Sequence, residues 1–144
     1  MRVYLDNCCF NRPFDDQSQV RIRLESEAKL HIQQRITQGE LELAWSYVLD
    51  YENAANPYEE RMRAIAGWKR HATSDVKETP GILAKAKALQ ALGLKSVDAL
   101  HVACAVAAGC DYFVTTDDLL LQRAPRVREI RITDPPTFIR EALT

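Results

Sequence analysis

The sequence predicts an α/β protein: a three-layer α/β/α domain around a central parallel sheet of about four strands. Three observations predict it. Short β-rich segments alternate with longer segments of helical periodicity. Each connection between successive strand candidates is long enough to hold a helical crossover, which parallel pairing requires. One segment, Tyr112-Phe113-Val114-Thr115, is apolar without alternation, as expected of a strand covered on both faces. A chain of 144 residues, 47% hydrophobic and 27% charged, has the size and balance of one compact domain, expected to span residues 1–144.

Arg2-Val3-Tyr4-Leu5 alternates and is β-rich, and the turn-prone pair Asp6-Asn7 ends it as the first strand. An irregular stretch follows through Asp16. Val20, Leu24, Ala28, Ile32 and Ile36 then recur every four residues, the stripe of a helix with one buried face, which Gln38-Gly39 closes. Leu41 to Trp45 forms the second strand, and Ser46 caps a helix carrying Val48, Leu49 and Glu52. Asn56-Pro57 starts another helix through Met62, Ile65 and Ala66, with Pro in its first turn. Thr73 to Pro80 reads as a polar connection, too short to separate domains. Ile82, Ala86, Leu89 and Leu92 mark an amphipathic helix stopped at Gly93. Ser96 caps the next helix, Val97 to Ala108, which is apolar nearly all round and therefore buried on most sides. Tyr112 to Thr115 is the third strand and Glu129 to Ile132 the fourth. Asp134-Pro135-Pro136 caps a last helix, Thr137 to Ala142.

Composition excludes several function classes. Nineteen Lys and Arg against twenty Asp and Glu leave a net charge of -1, so polyanions cannot be held by bulk charge, and any nucleic-acid contact must come from a local patch. The most apolar run, Val97 to Ala108, holds Asp98 and His101 and falls short of the ~20 residues that span a bilayer, so no membrane segment is expected. The N-terminus has no apolar stretch of the secretory kind. Cys8, Cys9, Cys104 and Cys110 form no CxxC pair, and a reduced, cytoplasmic protein is expected. Glycine-rich phosphate loops are absent.

In an open parallel sheet, chemistry collects beyond the carboxyl ends of the strands. There the sequence is acidic. Asp6 follows the first strand, Asp50 and Glu52 lie on the helix after the second, Asp98 lies in the first turn of the apolar helix, and Asp117-Asp118 follow the third strand. Taken singly, each has a simpler role as turn former, helix cap or solvated charge. Taken together they need a counter-charge, because two unit charges ~5 Å apart repel by ~3 kcal/mol at an effective dielectric near 20. Lys95 is the one Lys or Arg within these motifs. A divalent cation answers the repulsion, and hard carboxylate ligands with open water positions suit Mg²⁺ or Mn²⁺ and the hydrolysis of a phosphodiester.

Val3-Tyr4-Leu5-Asp6-Asn7, Ser46-Tyr47-Val48-Leu49-Asp50-Tyr51-Glu52, Ser96-Val97-Asp98-Ala99-Leu100-His101-Val102-Ala103 and Phe113-Val114-Thr115-Thr116-Asp117 carry a resemblance. In this order and spacing, across positions 2 to 142, the chain resembles PIN-domain proteins, close to the VapC-type toxins of bacterial and archaeal toxin-antitoxin pairs. The resemblance implies a metal-dependent endoribonuclease in which Asp6, Glu52, Asp98 and Asp117 surround Mg²⁺ or Mn²⁺ and carry catalysis. It also implies supporting roles for Asn7, beside the first acid, and Thr115, whose hydroxyl holds the acidic cluster. Ser96 and Asp118 complete the supporting set. Asp50 remains an alternative to Glu52, and Asp118 to Asp117. RNA as substrate, a cognate antitoxin and a homodimer are the partners expected.

Arg12, Arg21 and Arg23 flank the first acidic motif and are the candidates for tracking RNA phosphates, although a solvated face is the simpler reading of such a set. The same holds for Arg61, Arg63, Lys69 and Arg70. Phe10, Phe14, Tyr51 and Tyr58 could stack on unpaired bases. His31 and His71 lack ligand spacing; His101, three residues after Asp98 on the same helix, could approach the site, although a core histidine bonded to a backbone carbonyl is the simpler reading. Cys8 and Cys9 read as packing residues. A receiver-type phosphoacceptor would need a Lys after the last strand, where Ile130 to Asp134 has none. The alternative from another class is an inactive PIN-fold module that binds RNA or a protein partner without turnover.

Overall fold

A computed structural model describes residues 1–143. Five parallel strands form one sheet in the order β3-β2-β1-β4-β5, where β1 is Arg2–Leu5, β2 Glu42–Ser46, β3 Ala72–Val76, β4 Tyr112–Val114 and β5 Arg131–Thr133. Eight α-helices connect and cover them: α1 Asn7–Asn11, α2 Val20–Thr37, α3 Tyr47–Ala54, α4 Glu59–Gly67, α5 Pro80–Ala91, α6 Ser96–Ala107, α7 Asp118–Arg123 and α8 Pro135–Ala142. The chain winds outward from β1 through β2 to β3, then returns to the other side of β1 for β4 and β5. That reversal places a switch point beside β1, where the crevice of a doubly wound sheet opens.

The three-layer parallel architecture agrees with expectation, and the strand count is one higher. The additional strand, β3, occupies the polar connection. It pairs with β2 alone, and its burial alternates, with Thr73 and Asp75 facing solvent. An edge strand of this kind needs only one apolar flank, so its sequence carries little hydrophobic signal. Helix α1 replaces the irregular stretch after β1, with the Asp6 side chain accepting from Asn7 N–H at its start. Ser96 is the first residue of α6 and not its cap; Lys95 holds the N-cap position without a side-chain bond. Ser46 does cap α3, accepting from Leu49 N–H at 3.3 Å.

Val3, Tyr4 and Leu5 of β1 are fully buried, as are Leu43, Ala44 and Trp45 of β2 and Phe113 and Val114 of β4. Tyr4 stacks on Phe113 with centroids 5.2 Å apart, and Phe10 packs against Trp45 at 5.4 Å. Helix α5 packs on α6, and α2 on α8. Between α5 and α6 the chain turns at Gly93, whose φ of +104° lies in the left-handed region that side chains disfavour. This turn aims the N-terminus of α6 at the strand ends. No helix among the described residues is long and apolar enough to cross a membrane.

Candidate active site

The site assembles at the carboxyl ends of β1, β2 and β4. Asp6 is 5% exposed, and its backbone N–H bonds Val114 O at 2.9 Å, which ties the end of β1 to β4. Thr115 Oγ1 donates to Asp6 Oδ2 at 2.8 Å and Asn7 N–H to Oδ1 at 2.8 Å, so the carboxylate is oriented from two sides. Thr115 Oγ1 also accepts from Asp117 N–H at 3.1 Å. One hydroxyl thus couples the first and last acidic motifs.

Glu52, half-buried on α3, meets the Nε2 atom of His101 on α6 in direct contact. The same Nε2 lies 3.8 Å from Asp6 Oδ1. Ligand-capable atoms of Asp6, Glu52 and His101 all fall within 4.8 Å of one another. On its other side the imidazole places Nδ1 2.6 Å from Tyr4 Oη, which lies 2.6 Å from Ser46 Oγ. All three of these side chains are fully buried.

Asp98, half-buried one turn before His101, has its carboxyl pushed up to about 6. Burial is the largest cause, followed by the negative charges of Asp6 and Asp117; His101 opposes them. His101 responds in the complementary sense. Burial disfavours its charged form, but the bond to Glu52 and the charges of Asp6, Glu52 and Asp98 outweigh this and raise its pKa. The crevice therefore holds an imidazole among its carboxylates, a group that the acidic pattern had not disclosed.

Only two of the four sequence-predicted carboxylates, Asp6 and Glu52, belong to the tight cluster. Asp98 and Asp117 stand around it, close enough to repel each other through space. Asp117 caps α7, accepting from Leu119 and Leu120 N–H at 2.9 and 3.2 Å. The neighbouring alternatives point elsewhere. Asp50 accepts from Trp45 Nε1 at 2.9 Å and pairs with Lys69 at 2.9 Å. Asp118 pairs with Arg21 at 2.5 Å, largely in solvent. Ser96 is exposed at the start of α6.

Two contributors are more than the simpler sequence reading made them. His101 bonds a tyrosine and a carboxylate, not a backbone carbonyl; its spacing of three residues from Asp98 on one helix was the available signal. Cys8 is also more than a packing residue. Its Sγ lies 3.4 Å from both Asp6 Oδ2 and Thr115 Oγ1, and it accepts from Thr116 N–H at 3.4 Å. No pattern marked it.

Among the basic candidates, Arg21 sits at the rim, donating to Thr116 O at 3.3 Å as well as to Asp118. Arg12 pairs with Asp15 and Glu25, each at 3.1 Å. Arg23 is exposed two residues further along α2, on a different face from Arg21. Phe10 is a core residue, whereas Phe14, Tyr51 and Tyr58 are exposed.

A doubly wound parallel sheet with carboxylates from separate segments gathered at its switch point defines an α/β protein with a candidate cation-binding crevice. The chain belongs to the PIN domain family, whose sequence profile matches residues 3–126. Its fold is similar to that of a chain of VapBC2 from Rickettsia felis, solved bound to a DNA fragment from their promoter. The TM-score is 0.58 at 10% identity, covering 93% of this chain and 98% of that one. It is similar also to a chain of VapBC-1 from nontypeable Haemophilus influenzae, with a TM-score of 0.58 at 17% identity, covering 94% and 99%. At these identities the likeness is one of fold. No curated protein matches in sequence.

Proposed function

We propose that this chain is a metal-dependent endoribonuclease that hydrolyses phosphodiester bonds in RNA, acting in the cytoplasm as the toxin of a toxin-antitoxin pair. The observation that carries the reading is the convergence of Asp6 and Glu52, with Asp98 and Asp117 around them, at the switch point of a PIN fold. PIN domains are generally nucleases. The VapBC structures of like fold support an antitoxin partner, and a homodimer is part of the same proposal.

The residues suit a divalent cation. Asp98 is raised first by burial and then by the charges of Asp6 and Asp117, and an added positive charge relieves the repulsive part. Asn7 Oδ1, one residue after Asp6, is a buried acceptor with no donor. Asp6, Glu52, Asp98 and Asp117 would hold the ion, Mg²⁺ or Mn²⁺. When bound, the cation supplies Lewis acidity toward a phosphoryl oxygen and lowers the pKa of water, which makes a nucleophile available at neutral pH. Thr115 and the Asn7 N–H fix the Asp6 carboxylate, so its charge is preorganised and needs no rearrangement when substrate arrives. Glu52 is held by His101, and Asp117 by the N-terminus of α7. Arg21, and with it Arg12 and Arg23, would contact phosphates without reading bases.

Single-turnover cleavage and equilibrium binding of one unstructured RNA test the reading. Cleavage that requires Mg²⁺ or Mn²⁺ and disappears in Asp98→Asn, with binding retained, supports the nuclease. Metal-dependent binding by the wild type without cleavage of any RNA favours the inactive binding module. That alternative draws on the direct hydrogen bond between His101 and Glu52, which gives Glu52 a partner within the chain.

A further inference from the structure

We infer that His101 is itself a ligand of the cation site, so that Asp6, Glu52 and His101 form a mixed carboxylate and imidazole centre selective for a transition ion of the Mn²⁺, Co²⁺ or Zn²⁺ class over Mg²⁺. The inference rests on the nuclease reading for the presence of a cation and adds which ion the residues choose. Three features of the site carry it.

The first is distance. Atoms bound to one such ion at ~2.0–2.2 Å lie roughly 3–4.4 Å apart. The Asp6 oxygen, the Glu52 oxygen and His101 Nε2 already lie within 4.8 Å of one another. A single ion can touch all three once His101 Nε2 and the Glu52 oxygen, now in direct hydrogen-bond contact, part to that spacing. Asp98 and Asp117, outside this group, help to hold the same ion from further out, directly or through bridging water.

The second is the support behind the ring. A metal-binding histidine donates its other N–H to a fixed acceptor, which sets the tautomer and the ring plane. Here Nδ1 lies 2.6 Å from Tyr4 Oη, and Tyr4 Oη lies 2.6 Å from Ser46 Oγ. With Nδ1–H donating to Tyr4 and the Tyr4 hydroxyl donating to Ser46, Nε2 is the ring atom that faces Asp6 and Glu52, and its lone pair becomes available when the proton it shares with Glu52 is lost. The tyrosine comes from β1 and the serine from the end of β2, so the sheet itself holds the ring. An ion entering here displaces any proton carried on Nε2, and that proton leaves to solvent.

The third is donor chemistry. An imidazole suits Zn²⁺ and Co²⁺ best and Mn²⁺, first in the same affinity series, less strongly, whereas Mg²⁺ demands a near-octahedral oxygen shell and gives up its waters reluctantly. His31 and His71 do not belong to the cluster, so a nitrogen ligand at this site means His101.

The test uses the full chain freed of metal with chelator and loaded with one equivalent of Mn²⁺. Pulsed electron paramagnetic resonance then reads ¹⁴N coupling at the ion. The expected result is the coupling of a directly bound imidazole nitrogen, absent from His101→Gln and from Asp6→Asn. Calorimetric titration should show Mn²⁺ and Zn²⁺ binding tighter than Mg²⁺, with the preference narrowed at least tenfold, by expectation, in His101→Gln. Tyr4→Phe, which keeps the ring and removes its support, should weaken Mn²⁺ binding about 10- to 100-fold. Circular dichroism checks that each variant folds; if His101→Gln does not, the wild-type ¹⁴N spectrum with its Asp6→Asn control still decides. Saturable Mn²⁺ binding with no ¹⁴N coupling overturns the inference and leaves the nuclease reading standing. Absence of any saturable binding by Mn²⁺ or Mg²⁺ overturns both.

Discussion

Asp98→Asn should stabilise the metal-free protein at neutral pH, although it removes a group proposed to be essential for cleavage. The Asp98 carboxyl ionises at about 6 in the folded chain against 3.8 ordinarily, because of burial and the charges of Asp6 and Asp117. At 1.36 kcal/mol per pKa unit this is a penalty of about 3 kcal/mol on the ionised form. The side chain is only half-buried, and solvent screening reduces the expected effect to ~1–2 kcal/mol. Between about pH 4 and pH 6 the folded state binds this proton more tightly than the unfolded state, so the contribution of Asp98 falls as pH rises through that window. The penalty is complete above it and absent below it. Asparagine carries no charge and escapes the penalty, which for a chain of this size corresponds to a rise in melting temperature of roughly 3–6 °C at pH 7.5. Urea unfolding of wild type and variant in chelator, from pH 4 to pH 8, measures the difference directly. A variant no more stable than wild type at pH 7.5, or a gain that does not shrink toward pH 4, would refute the argument that the acids repel one another in one crevice. Saturating Mn²⁺ should reverse the order, adding ~2.7 kcal/mol to the wild type at 100 times its Kd and less to the variant.

Other residues make separable predictions. Asp6→Asn should abolish Mg²⁺- or Mn²⁺-dependent RNA cleavage without lowering metal-free stability, and an active variant would remove Asp6 from the cation site. Lys29 is 4% exposed between the rings of Phe10 and Trp68, and its ammonium is lowered by burial to about 8 from 10.5. Lys29→Met should therefore gain up to about 3 kcal/mol below pH 8, with the gain fading as the pH rises to 10.5; equal gains in urea unfolding at pH 7 and pH 10.5 would contradict this. Arg21→Ala should weaken RNA binding about equally across sequences and flatten the log-log salt dependence by roughly 0.7 for each phosphate no longer neutralised, and an unchanged slope would leave Arg21 with its partners inside the chain and no role toward RNA. Thr79→Ala removes the cap of α5, in which Oγ1 accepts from Ile82 N–H at 3.2 Å, and should cost about 1 kcal/mol in thermal unfolding with cleavage unaltered.

Elements with a strong internal period were legible in the sequence. The stripe from Val20 to Ile36, the apolar helix from Val97 and the unalternating strand at Tyr112 each report burial through local spacing, because a helix or strand that faces the core repeats its apolar residues at its own period. The acids at strand ends were legible for a related reason: chain order and a parallel sheet together dictate which loops share a crevice. Strand β3 was not legible, since an edge strand borrows its stability from hydrogen bonds to β2 and exposes Thr73 and Asp75. Nor could spacing choose within Asp50 and Glu52, or within Asp117 and Asp118, because residues one or two apart start from nearly the same place in the fold and differ chiefly in the direction their side chains take.

Those choices were made by partners distant in sequence. Trp45 and Lys69 draw Asp50 aside, Arg21 draws Asp118 into solvent, and His101 receives Glu52. The same holds for Cys8 and for the line from Ser46 through Tyr4 to His101, which joins two strands and a helix and has no trace in any local pattern. By itself the sequence determined the parallel α/β architecture and the acidic character of its switch point, since both follow from periodicity and order. The tertiary structure alone decided which carboxylates face one another and which are drawn aside, because electrostatic interaction depends on separation in space and on the dielectric that burial creates.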